Sequence, residues 1–142
     1  MHIDHVVLWV EDARRALEFY VNVVGLPSVR AEEFSAGRAP FPSVRISDGS
    51  ILDLLPVANL PLAVSMTGET KPTAAGKPIN HVCLAMDRSD FDALASRLAE
   101  SGVAMHHIGE QSYGARGWTT HWFYFQDPDG NVIEARRYEE NG

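Results

Sequence analysis

Ile3-Asp4-His5-Val6-Val7-Leu8 returns as Ile79-Asn80-His81-Val82-Cys83-Leu84, and Asp48-Gly49-Ser50-Ile51-Leu52-Asp53 returns as Asp129-Gly130-Asn131-Val132-Ile133-Glu134. The histidines lie 76 positions apart and the carboxylates 81. Self-similarity at a near-constant offset is the signature of two copies of one structural unit. Here it also sets two imidazoles and two carboxylates at equivalent places, and those are ligand types for a divalent metal.

Working outward from the first phrase, residues 2–10 are rich in Val, Ile, Leu and Trp and read as a strand closed by Glu11-Asp12. Asp12 is placed to cap a helix with apolar positions Ala13, Leu17, Tyr20 and Val24, at offsets of 4, 7 and 11. Gly25 ends it and Pro27 prevents its continuation. Extended segments are expected near 28–35, 41–47 and 50–56, the last two joined by the hairpin signal Asp48-Gly49. The second copy repeats the plan. A strand at 79–86 leads to a helix capped near Asp87 or Ser89, with Phe91, Leu94 and Leu98 on one face and Gly102 as its stop. Strands near 103–108, 118–126 and 131–137 complete it, with Asp127-Pro128-Asp129-Gly130 as the turn.

The chain therefore reads as one α+β domain over residues 1–142. Module one covers 1–58, a linker 59–77 and module two 78–140. Pro61, Gly68, Pro72, Gly76 and Pro78 make residues 57–78 a linker or surface excursion rather than a regular element. Each module is a βαβββ unit whose sheet is too small to hide its own apolar face. Two such sheets are expected to pair into a curved mixed sheet around a central cleft for metal and substrate.

Composition limits the function. The hydrophobic fraction of 45% and charged fraction of 22% are ordinary for a globular chain. A net charge of −7 without a Lys/Arg cluster argues against a nucleic-acid partner. Arg14-Arg15 and Arg136-Arg137 read as solvated faces. Cys83 alone permits no intrachain disulfide, which suits a reducing compartment. No apolar run approaches membrane-spanning length, and Met1–Val10 lacks the layout of a signal peptide, so the expectation is a cytoplasmic protein with no membrane partner.

Alternation along the strands puts His5 with Val7 and Trp9, His81 with Ile79 and Cys83, Asp53 with Ile51 and Leu55, and Glu134 with Val132 and Arg136. An ionised carboxylate inside an apolar strand is expensive unless paired or bound to a cation. A divalent ion offsets that cost, and two histidines with one carboxylate also form the facial triad of non-haem iron enzymes.

These residues resemble the vicinal oxygen chelate superfamily, which includes glyoxalase I, fosfomycin-resistance thiol transferases, extradiol dioxygenases and bleomycin-resistance proteins. The most specific piece is Tyr124-Phe125-Gln126-Asp127-Pro128-Asp129-Gly130-Asn131-Val132-Ile133-Glu134. Ile3 to Leu8 and the helix pieces Phe19-Tyr20 and Gly25-Leu26 support it. The resemblance implies metal ligands at His5, His81 and Glu134, with Asp53 where glyoxalase-type members carry a fourth ligand, usually Glu. Asp is one methylene shorter. Asp53 either ligates directly, holds a metal-bound water or takes a proton from substrate. Glu134 and Asp53 are the candidate catalytic acids, and Tyr124 falls where some members carry a substrate-contacting tyrosine.

The implied function is a divalent-metal-dependent enzyme acting on a small molecule with adjacent oxygens. It would be a glyoxalase-like lyase or isomerase, or a ring-cleaving dioxygenase, using Fe, Mn, Ni or Zn. The alternative is a metal-free protein that sequesters a small drug molecule in the bleomycin-resistance manner. The family also implies a homodimer. Outside the repeated phrases, His106, His107 and His121 read as surface or supporting residues. Gly109 to Trp118 reads as a flap over a pocket or a long hairpin loop.

Overall fold

The structure, a computed structural model, describes residues 3–67, 79, 81–107 and 109–139. The fold is α+β, and the chain divides into two compact units, residues 1–78 and 79–142.

The first unit opens with β1 (His5–Val10) and α1 (Ala13–Phe19). Asp12 caps the helix, its Oδ1 accepting from the backbone N–H groups of Arg14 at 2.9 Å and Arg15 at 3.1 Å. The helix closes in one π turn, Tyr20–Val24, and Gly25 at φ 89° reverses the chain. The wide turn places Tyr20 and Val24 in the core with Ala13 and Ala16, while Leu17 is only half-buried. Then come β2 (Ser28–Val29), α2 (Ala31–Ser35), β3 (Ser43–Ser47), β4 (Ser50–Pro56) and α3 (Leu60–Thr67). The sheet runs β1-β4-β3-β2, with β1 and β4 parallel and the other pairs antiparallel. Leu8, Val10, Leu52 and Leu54 are buried with the helix residues; His5, Val7 and Trp9 alternate onto the other face of β1.

The second unit has the same plan. Its elements are β5 (Val82–Ala85), α4 (Arg88–Glu100), β6 (Ser112–Gly114), β7 (Gly117–Thr119), β8 (His121–Gln126) and β9 (Val132–Arg137). The main sheet runs β5-β9-β8, with β5 and β9 parallel. His106 adds a single bridge to Tyr124, where β2 stands in the first unit. Asp87 rather than Ser89 caps α4, accepting from the N–H of Asp90 at 2.9 Å. Leu94 and Leu98 are buried, as are Leu84, Phe123, Phe125, Ile133 and Ala135. The Asp127 turn owes its sequence to a buried carboxylate. Asp127 Oδ1 accepts from the N–H groups of Asp129 and Asn131, Oδ2 accepts from the Asn131 amide, and Gly130 takes φ 78°.

Four expectations need correction. Of residues 28–35 only Ser28 and Val29 are strand; Arg30 turns at φ 59° and Ala31-Glu32-Glu33-Phe34-Ser35 forms a helix, with two acids in its first turn. The expected strand at 103–108 reduces to the His106 bridge, and Ile108 lies outside the described residues. The strand expected at 118–126 breaks at Thr120. There the Thr119 hydroxyl accepts from the N–H of His121 and donates to the carbonyl of Arg137, which replaces ladder pairing. Residues 57–67 are a short 3-10 turn followed by α3 rather than irregular chain. Pro61 falls in the first turn of α3, where proline lacks no hydrogen bond the helix needs. The rest of the expected linker, residues 68–77, lies outside the described residues.

Candidate functional site

The repeat survives in the ladder register. In the first unit Val7 pairs with Asp53 and Ser43 pairs with Asp53 from the other side. In the second, Cys83 pairs with Glu134 and Tyr124 pairs with Glu134. Each acid therefore sits mid-sheet, between the strand that carries the histidine (His5) or directly follows it (His81) and the strand before the acid's own in sequence. In both units the acid and the histidine share the sheet face that alternates away from the aliphatic core.

In the first unit, His5 is half-exposed and its Nδ1 meets Asp4 Oδ1 at 2.8 Å. That bond, opposed by partial burial and aided by the Asp53 and Asp4 charges, holds the imidazole pKa above its ordinary value. A carboxylate on Nδ1 favours the tautomer that leaves Nε2 as the free acceptor, the usual arrangement behind a metal-ligating histidine. Asp53 is 7% exposed, and its Oδ1 accepts the hydroxyl proton of fully buried Ser43 at 2.6 Å.

In the second unit, His81 Nε2 lies 3.1 Å from Glu134 Oε2. Glu134 is 2% exposed, and its other oxygen, Oε1, accepts from Nε of Arg136 at 3.0 Å and from Nη2. Arg136 is itself buried, at 3%. Burial works against its charge, but hydrogen bonds to Glu134 and Tyr138 outweigh it and hold the guanidinium above its usual pKa. The expected solvated Arg136-Arg137 face is thus wrong for Arg136, because the period-2 strand turns it inward beside Glu134.

Tyr124 packs edge-on against His81, ring centroids 5.3 Å apart, and burial followed by the Glu134 charge raises its phenol pKa. Cys83 stands on the same face; partial burial and then Glu134 push its thiol up to about 11, so it is a poor nucleophile near neutrality. Beside Tyr124, a cleft of about 590 Å³ is lined by His106, Gln126, Val132 and Ala104 among others, a volume suited to a small molecule.

The donor chemistry of the His81–Glu134 pair fits a divalent ion. Two ligand bonds of about 2.1 Å meeting near a right angle put the donor atoms about 3 Å apart. His81 Nε2 and Glu134 Oε2 are held at that spacing. Among the described residues, no three His, Cys, Asp or Glu side chains gather into a metal cluster. His81, Glu134 and Tyr124 are thus brought together, while His5 and Asp53 form the equivalent face of the other unit.

The contacts of two residues escaped the sequence reading. Arg136 announces itself only as an i, i+2 neighbour of Glu134. Ser43 carries no signal until the register sets it opposite Asp53. His121 is paired with Glu139 at 2.7 Å and His107 stacks near Trp122 at 4.6 Å, so both act as supporting residues.

The family model of the Glyoxalase/Bleomycin resistance protein/Dioxygenase superfamily matches residues 2–135. Lactoylglutathione lyase of Neisseria meningitidis is 24% identical over 134 residues, covering 94% of this chain and 88% of that protein. Catechol-2,3-dioxygenase of Bacillus subtilis is 28% identical over 94% of this chain but only 40% of its own length. An integron cassette protein from the mobile metagenome of V. cholerae superposes with a TM-score of 0.69 at 29% identity, covering 98% of this chain and 96% of that one.

Proposed function

The chain belongs to the Glyoxalase/Bleomycin resistance protein/Dioxygenase superfamily, and on that footing we propose that it is a divalent-metal-dependent enzyme acting on a small substrate with adjacent oxygens. The observation that carries this reading is the His81 Nε2–Glu134 Oε2 spacing of 3.1 Å on a buried carboxylate. In the first unit His5 and Asp53 stand at the repeat-equivalent positions, His5 oriented by its bond to Asp4, and they are proposed as ligands on that equivalence.

When bound, the ion supplies Lewis-acid stabilisation of a substrate oxyanion. The protein's own groups do the rest. Arg136 occupies one oxygen of Glu134, Oε1, so the carboxylate presents the other, Oε2. Tyr124, held protonated by its raised pKa, donates a hydrogen bond to a substrate oxygen. Asp53, held by the Ser43 hydroxyl, is our candidate to take or return a proton at substrate.

Two relatives define the reactions to test, since one is a lactoylglutathione lyase and the other a catechol dioxygenase. Protein loaded separately with Fe2+, Mn2+, Ni2+ or Zn2+ is assayed for lactoylglutathione turnover and for ring-fission colour from catechols in air. Activity with iron or manganese on catechols supports dioxygenation; activity with nickel or zinc on the thioester supports the lyase. Small-molecule binding that is equally tight with and without metal, and no turnover, defeats the enzyme reading.

One observation favours a second reading, metal-free sequestration of a small molecule. Glu134 already has its charge balanced by Arg136, so the face is stable without a cation.

A further inference from the structure

Arg136 reaches further than Glu134. Its Nη2 donates to Glu134 Oε1, to Ser112 Oγ at 2.6 Å and to the Tyr113 carbonyl at 3.2 Å. Its Nη1 donates to Tyr138 Oη at 3.3 Å. Ser112 and Tyr113 belong to the β6–β7 hairpin, paired in the register Ser112–Thr119, Tyr113–Trp118 and Gly114–Gly117. The hairpin carries Tyr113 and Trp118, 68% and 61% exposed and edge-on at 5.2 Å. One guanidinium thus ties the candidate ligand carboxylate to a two-stranded ribbon of exposed aromatics.

The tie is over-subscribed. Nη2 has two hydrogens, and three acceptors converge on it. The anionic oxygen of Glu134 takes the larger share, because hydrogen bonds to a charged acceptor are the stronger. Glu134 charge drawn toward a cation at Oε2 weakens that claim. The Nη2 hydrogens then pass to Ser112 Oγ and the Tyr113 carbonyl, while Nε keeps its bond to Glu134.

We propose that Arg136 is a positioning residue that couples the His81–Glu134 pair to the β6–β7 hairpin, so that a divalent ion at the pair tightens the hairpin. The inference rests on the metal-binding reading above. It gives the hairpin a function that follows the state of the site, since its anchoring bonds strengthen when Glu134 is engaged.

The test is amide hydrogen exchange over residues 112–119 of the full chain, with and without the divalent ion that calorimetry shows to bind. Transfer of one hydrogen bond from a cationic donor slows local opening by about tenfold. The wild type is expected to show that slowing on metal addition. Ser112→Ala, which keeps the Glu134–Arg136 pair, is expected to bind metal as the wild type does and to lose most of the slowing. Arg136→Met is expected to lose all of it; if that variant fails to fold, Ser112→Ala decides alone. A wild type that binds metal without change in hairpin exchange overturns the coupling, as does full slowing in Ser112→Ala. A wild type that binds no divalent ion overturns the metal reading and the coupling together, and calorimetry separates that outcome from the others.

Discussion

Removing the Ser43 hydroxyl isolates the contact that holds Asp53. Ser43 is fully buried, Asp53 is 7% exposed, and the Oγ–Oδ1 distance is 2.6 Å, at the short end for a hydroxyl on a carboxylate. Alanine in place of Ser43 deletes one oxygen and little volume, so cavity formation contributes little. The cost is then that of a hydrogen bond to a buried charged acceptor, about 2 kcal/mol, or a factor of about 30 in the folding equilibrium. For a chain of this size that corresponds to a fall in Tm of about 6 °C. Urea denaturation of wild type, Ser43→Ala, Asp53→Ala and the double variant closes a double-mutant cycle. The coupling energy is expected at about 1.5–3 kcal/mol, because each single change leaves the other group unpaired in the interior. Additivity within about 0.5 kcal/mol would show that the two side chains do not depend on each other, and would refute the assignment of Ser43 as the group that fixes Asp53.

Other consequences are independent of that pair. The Cys83 thiol, pushed up to about 11, is expected to react with iodoacetamide slowly at pH 8 and progressively faster toward pH 11; full reactivity already at pH 8 contradicts the stated effect of burial and Glu134. Asp4→Asn is expected to lower the His5 pKa, read from its imidazole proton shifts by NMR, since the Asp4 bond is the main cause of the rise. A histidine raised in the folded state favours folding at acid pH, below its unfolded pKa, and that contribution fades as pH climbs through the folded value. The stability difference between wild type and Asp4→Asn is therefore expected in acid and to vanish in mild alkali; a difference that grows with pH sinks the assignment. Asp12→Ala is expected to cost about 1 kcal/mol in urea denaturation, through loss of two backbone N–H contacts at the start of α1.

Much of the fold was legible because local chemistry and period agreed. Asp12 and Gly25 bound the first helix, Asp48-Gly49 closed a two-residue hairpin, and the Asp127 turn carried three bonds to one carboxylate. Reading failed where tertiary context overrode a rule of thumb. Pro61 looked like a breaker and lies in a helix's first turn, and Glu32-Glu33 suited a helix within a stretch read as extended. For the site, period 2 set His5, His81, Asp53 and Glu134 on defined faces, and the ladders keep those faces. What period 2 could not convey was the partner of Asp53 and the long-range contacts of Arg136. Ser43 became visible only through cross-strand register, and the reach of Arg136 beyond Glu134 only through the 24-residue span back to Ser112.

Calorimetric titration of the metal-stripped chain with Fe2+, Mn2+, Ni2+ and Zn2+ tests the central claim most directly. The account predicts one ion per chain for at least one of them, with affinity lost in His81→Ala and Glu134→Ala. No binding by any of the four, or binding that neither His81→Ala nor Glu134→Ala disturbs, would contradict it.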